Sequence, residues 1–176
     1  MKRLVTFIAF CMLLCTTCIA QTKSVEYVYL KGSTMEFKYR KIIGQYSEQN
    51  FVRIEPVGIL NQTSYRYPLH GGKYYRPIKI EGDVQTAANE VMKKYPNEKL
   101  PKKLSMQIYF SLQKETVGVD YWYKSQNLEL ISPYFIEDLT KAILKNQKLM
   151  GVNKISNSKP EFPIEGLSIH RSVKLR

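Results

Sequence analysis

An α+β fold, with an antiparallel β-sheet packed against two amphipathic helices and a β-rich N-terminal half, is predicted by three observations. Leu104, Met106, Ile108, Phe110 and Leu112 alternate with Ser105, Gln107, Tyr109, Ser111 and Gln113, the period-2 pattern of a strand with one buried face. Val84, Ala87, Ala88, Val91 and Tyr95 recur at helical spacing, as do Phe135, Ile136, Leu139, Ala142 and Ile143. From residue 24 to 80, Gly and Pro divide the chain into short alternating runs that read as strands.

The first twenty residues stand outside that fold. Lys2 and Arg3 precede an uncharged run from Leu4 to Ala20, the layout of a secretory signal peptide cleaved near Ala20. Cys11, Cys15 and Cys18, the three cysteines of the chain, all lie inside it. A mature chain over residues 21–176 is then without thiols or disulfides and holds itself together by burial. The expectation is an exported protein, periplasmic or secreted. Retention of residues 4–20 as a membrane anchor is the alternative, because the run is about long enough to cross a thinned bilayer. Lipidation fits less well, since no cysteine has both an aliphatic residue three positions before it and a small one just before it.

Residues 21–176 are predicted to be a single α+β domain, β-rich over 21–81 and helix-hairpin-helix-strand over 82–176, with the break near Gly82. A chain of this length buries roughly 70% of its extended-chain surface. Strands are expected over 25–31 and 35–41, joined by a turn at Lys31-Gly32-Ser33; Met35, Phe37 and Tyr39 alternate with Glu36, Lys38 and Arg40. A strand over 51–57 places Val52, Ile54 and Pro56 on one face, and the proline suggests an edge or a strand end. Strands over 65–69 and 74–80 flank His70-Gly71-Gly72-Lys73, a hairpin signal. Asp83 caps a helix that Pro96 stops.

After the alternating strand over 104–112, residues 114–118 turn the chain into a strand over 119–124. Val119, Tyr121 and Tyr123 form one face of it, and Asp120 and Trp122 the other. Ser132 as cap and Pro133 in the first turn open the second helix, Glu137 pairs with Lys141 on its outer side, and Gly151 ends it. Leu167, Ile169, Val173 and Leu175 share a face of a last strand over 167–175, interrupted by Arg171.

Catalytic signals are sparse. Of the two histidines, His70 falls in a turn and His170 on a polar strand face, and neither belongs to a His/Cys cluster of the kind zinc requires. No cofactor or metal is therefore expected. Serine-nucleophile motifs lack a convincing context. Glu161 with Glu165, or Glu48 with Glu55, are near in sequence, but spacing does not fix the carboxyl separation of glycoside hydrolysis. Gly71-Gly72-Lys73 is followed by Tyr74 where a phosphate loop needs Ser or Thr.

What remains is charge and tyrosine. The chain carries 27 Lys and Arg against 15 Asp and Glu, a formal charge of +12, and loses two positive charges with the signal. The excess is spread along the chain and favours attraction to anionic surfaces. Aromatic and basic residues interleave at Tyr65-Arg66-Tyr67, Tyr74-Tyr75-Arg76 and Phe37-Lys38-Tyr39-Arg40. Rings that stack and cations that neutralise phosphate or carboxylate can together bind glycans, single-stranded nucleic acid or anionic lipid headgroups. Arg40, Arg66, Tyr67, Tyr75, Arg76 and Trp122 are the candidate binding residues. The expected partner is an anionic envelope component (lipid headgroup, glycan or cell-wall polymer) or an envelope protein, with no specific nucleic acid. The competing reading packs alternate tyrosines on the core and leaves the charged residues in solvent. Other classes left open are a hydrolase of envelope polymers and a structural or assembly protein pairing through its C-terminal edge strand.

The order helix, strand, hairpin, strand, helix, final strand over 83–175 resembles the TonB carboxy-terminal domain. The local likenesses are the alternating strand ending at Phe110, the Lys124-Ser125 pair after the second strand, and the helix before a terminal strand. The resemblance implies a periplasmic module that passes energy to outer-membrane receptors, and a last strand whose edge accepts a partner's strand. The chain is also similar in overall look to small exported bacterial proteins of uncharacterised families.

Overall fold

The computed structural model describes residues 25–43, 50–57, 74–113, 115–157 and 164–175. The segment expected to be a signal peptide, the strand expected over 65–69 and the Gly71-Gly72 turn lie outside the described residues, as do Arg66 and Tyr67. The described elements run β1 (Val25–Lys31), β2 (Glu36–Ile42), β3 (Phe51–Pro56), β4 (Tyr75–Glu81), α1 (Val84–Lys94), β5 (Lys103–Ser111), β6 (Thr116–Lys124), α2 (Pro133–Asn146), β7 (Lys148–Lys154) and β8 (Gly166–Lys174). Six strands form an antiparallel sheet in the order β1-β2-β3-β6-β5-β8, and β4 pairs with β7 in a separate two-stranded ribbon. The α+β architecture with a β-rich N-terminal half is thus present. Because β3 pairs with β6, residues on both sides of Gly82 share one sheet.

Alternation sets the faces. Phe37 and Tyr39 of β2, Val52 and Ile54 of β3, Val119 and Tyr121 of β6, and Leu104, Met106, Ile108 and Phe110 of β5 are fully buried. They meet Val84, Ala88 and Val91 of α1 and Phe135, Ile136, Leu139 and Ile143 of α2 in one core. Three tyrosines enter that core with their hydroxyls partnered, which removes most of the cost of burying them. Tyr39 Oη donates to Ile131 O at 2.9 Å, Tyr123 Oη to Glu129 O at 2.6 Å, and Tyr121 Oη meets Thr140 Oγ1 at 2.8 Å. Burial pushes all three phenols well above their ordinary pKa.

The first helix forms as its spacing predicts. Asp83 accepts from the backbone N–H groups of Gln85 at 3.0 Å and Thr86 at 3.2 Å, and Tyr95 is the C-cap. Just before it, Gly82 adopts φ 99°, and a Cβ there would collide with the Asn146 carbonyl; both conditions select glycine.

The second helix departs from expectation in three ways. Ser132 precedes it, with Pro133 in the first turn, but the serine hydroxyl makes no capping bond. The helix ends at Asn146 with Gln147 as C-cap, not at Gly151. Gly151 instead lies within β7, where the Ile78 side chain of β4 packs over it. Leu149 and Gly151 point inward from β7, a short alternation that a helix-spaced run immediately before it hides. Third, Glu137 is not on the outer side; it is buried, 2% exposed.

Glu137 reaches the β1–β2 turn. Its carboxylate accepts from Thr34 Oγ1 at 2.7 Å, from Thr34 N at 3.1 Å, from Met35 N at 3.3 Å and from Lys141 Nζ at 2.5 Å. The turn comes close enough only because residue 32 lacks a side chain, since a Cβ there would collide with Glu137 Oε2 and lie 3.3 Å from Pro133 O. That carboxylate is pinned by its donors and cannot swing aside. Gly32→Ala is therefore expected to destabilise the fold by roughly 1–3 kcal/mol, the usual cost of overpacking, readable as a lower midpoint in urea. An unchanged midpoint would mean that the turn is not docked on α2.

Candidate functional site

The face of the sheet turned away from the helices carries the polar half of each alternation. The pairings set its rows. Tyr27 lies opposite Arg40, Arg40 opposite Arg53, Arg53 opposite Trp122, and Trp122 opposite Ser105. One step along the strands, Phe51 lies opposite Lys124, and Lys103 opposite Lys174.

Charges in the middle of this face are compensated. Arg40 faces Glu55 at 3.7 Å, Arg53 Nε lies 2.8 Å from Glu55, and Arg53 Nη2 donates to Asp120 at 3.0 Å. Tyr109 Oη donates to the same Asp120 oxygen at 2.9 Å; Asp120 is 2% exposed, and its Oδ1 has no partner among the described residues. Burial raises the Asp120 pKa, against the hydrogen bonds from Arg53 and Tyr109 that lower it. Toward β1, Lys38 and Arg40 lie over the Tyr27 ring at 4.4 and 5.6 Å, within cation–π reach.

This cluster supplies stability. Removing the guanidinium strands a buried carboxylate, so Arg53→Leu is expected to cost about 2 kcal/mol, less than a fully buried pair because the Arg53 side chain is 39% exposed. A carboxyl with a raised folded pKa weakens the fold as pH rises above its ordinary range. The Arg53→Leu deficit therefore shrinks on acidification toward pH ~4, and Asp120→Asn in the same chain restores part of it. Thermal midpoints of the three chains at two pH values check this; a deficit independent of both would contradict it.

At the other end of the face the lysines are uncompensated among the described residues. Lys102, Lys103, Lys124 and Lys174 are exposed, and none makes an ion pair among the described residues. Lys103 and Lys174 are directly opposed across β5 and β8, an arrangement of like charges that opposes folding. Phe51, Pro101, Lys102, Lys103, Ser105, Trp122 and Lys124 line a groove of about 410 Å³. A second of about 390 Å³, with Lys99, Gln126 and Asn127 on its walls, adjoins it through Pro101, Lys102 and Lys124. Lys124 Nζ lies 6.0 Å from the Phe51 ring centroid, and Trp122 stacks on His170 with centroids 5.1 Å apart and planes 17° apart. Cations at the rim and flat rings on the floor can hold a compact anion that also has an apolar face.

Of the sequence candidates, Arg40 and Trp122 come together on this face, in one row with Arg53 between them. Tyr75 and Arg76 do not. They sit on β4 in the separate ribbon, Tyr75 half-buried against the core and Arg76 exposed. Phe51, Lys102, Lys103 and Lys124 were missed, although Trp122 and Lys124 are two residues apart on one strand and so had to share a face. The Phe51–Lys124 pairing spans distant segments and has no local signal.

Among the described residues no three His, Cys, Asp or Glu side chains gather as metal ligands, and no helix is long and apolar enough to cross a membrane. Comparison with protein-family models, with curated proteins and with solved structures finds no match for this chain.

Proposed function

We propose that this protein is a non-catalytic, exported binding module of the cell envelope, which meets an anionic partner through the lysine-rimmed end of its open sheet face. One observation carries the reading: among the described residues Lys102, Lys103, Lys124 and Lys174 cluster without carboxylate partners, two of them in direct cross-strand opposition, while Arg40 and Arg53 of the same face are paired. Concentrated like charge is unfavourable on its own, and a bound anion turns that repulsion into attraction. The aromatic floor adds an apolar surface that a bare counterion would not use. A hydrolase reading would gain from a histidine beside a carboxylate in a deep pocket; His170 instead stacks on Trp122, and the residues lining the two grooves do not include it.

Co-sedimentation of the protein with isolated envelope fractions across a salt series tests the proposal. Binding that falls steeply with salt is expected, and binding indifferent to salt would contradict it.

The position of β8 at the end of the sheet favours a second reading, assembly through strand pairing at that edge. Gln85 of α1 already occupies part of it, since its side-chain amide accepts from Lys174 N at 2.9 Å and donates to Lys174 O at 2.8 Å. Strand pairing there would have to displace that contact, and Gln85→Ala is the variant that would strengthen it.

A further inference from the structure

We infer that the groove between Phe51 and Trp122 takes an acidic saccharide, the sugar ring lying on the aromatic floor and its anionic group meeting Lys102, Lys103 and Lys124. The inference rests on the anionic-partner reading above and names the class of partner for that site.

The geometry points to a sugar for three reasons. The groove, at about 410 Å³, falls within the ~300–1,000 Å³ range of small-ligand sites, so it suits a short segment of a polymer and not an extended surface. Phe51 and Trp122 are half-buried among exposed lysines, whereas side chains that enter a bilayer are themselves exposed. Four lysines without an ion pair among the described residues gather at one end of the face, whereas further along it Glu55 and Asp120 compensate Arg40 and Arg53 and Lys38 lies over the Tyr27 ring. A nucleic-acid strand asks for a basic track along its backbone, whereas a compact carboxylate on a pyranose asks for a local cluster. The C–H face of that ring matches a flat aromatic surface, and Ser105 and the lysine ammonium groups supply donors for its hydroxyls. His170 stacks on one face of the indole, and the sugar takes the other.

Trp122 is the single tryptophan of the chain, so its emission reports on this groove alone. The protein is titrated with oligogalacturonate, with a neutral oligosaccharide of the same length, and with phosphatidylglycerol vesicles, following tryptophan emission and, in parallel, heat of binding. The expected result is saturable binding of oligogalacturonate with a change in Trp122 emission, and at least tenfold weaker binding of the neutral sugar. Phe51→Ala should weaken oligogalacturonate roughly five- to tenfold, the scale of one lost aromatic contact. Lys103→Gln, a surface change that spares the fold, should weaken it severalfold. Oligogalacturonate binding that leaves Trp122 emission and the Phe51→Ala affinity unchanged would overturn the saccharide site while leaving the anionic-partner reading in place. Binding to vesicles but not to oligogalacturonate would replace the sugar with a membrane surface, and failure to bind either anion would overturn both readings.

Discussion

Glu137→Ala lowers the thermal midpoint by on the order of 10 °C. The carboxylate is 2% exposed and holds four donors, two from the backbone of the β1–β2 turn and one each from Thr34 and Lys141. Hydrogen bonds to a charged acceptor are worth more than neutral ones, and deleting the acceptor strands buried N–H groups. A loss of roughly 2–4 kcal/mol follows, and each kcal/mol moves the midpoint of a domain this size by about 2–4 °C. Burial alone would raise the Glu137 pKa, but the hydrogen bonds from Lys141, Thr34 and Met35 outweigh it and hold the carboxyl at about 2, against an ordinary 4.5. A depressed folded pKa stabilises above the unfolded value and ceases to do so as pH falls through the folded one. The gap between the two chains should therefore be full above pH 4.5 and close toward pH 2. Glu137→Gln, which keeps the shape and loses the charge, should fall between them. Equal midpoints at pH 7 would refute the clamp.

Lys102, Lys103 and Lys124 changed together to Glu should abolish binding to an anionic polymer at low salt while the unfolding free energy stays within about 1 kcal/mol of the parent. Each exposed attraction contributes roughly 0.5–1 kcal/mol, and reversal replaces attraction with repulsion. The combined change is about 3–6 kcal/mol, a hundredfold or more in affinity. Lys38→Glu offers the contrast, because it lies beside Tyr27 near the β1 edge and away from the groove; its expected effect is under threefold. Comparable losses from both would indicate a diffuse field without a localised site.

The strands and both helices were legible where one face is buried and the other wet. The alternation over 104–112 gave β5, with Leu104, Met106, Ile108 and Phe110 fully buried, and the spacing from Val84 to Tyr95 gave α1 with its Asp83 cap. Two kinds of feature were hidden. The β4–β7 pairing joins distant segments, so Gly151 read as a helix stop when its meaning is contact with Ile78. Glu137 looked like half of an ordinary i,i+4 surface pair because its other partners, Thr34 and Met35, come from a turn about a hundred residues away in sequence. The candidate site divided in the same way. Trp122 could be assigned to the polar face of its strand from alternation, whereas the lysines around it are assembled by the β5–β6 and β3–β6 registers. Tyrosine-basic interleaving proved ambiguous, since in Phe37-Lys38-Tyr39-Arg40 the two rings are core and only the two cations reach the open face.

The most direct measurement is the equilibrium affinity of the protein for an immobilised acidic polysaccharide from low to high salt, beside that of a chain with Lys102, Lys103 and Lys124 changed to Gln. A basic groove that exchanges counterions for ligand charge predicts a steep fall of log affinity with log salt, and a distinctly shallower one for the variant. Equal slopes for the two chains would contradict the assignment of the site to these lysines.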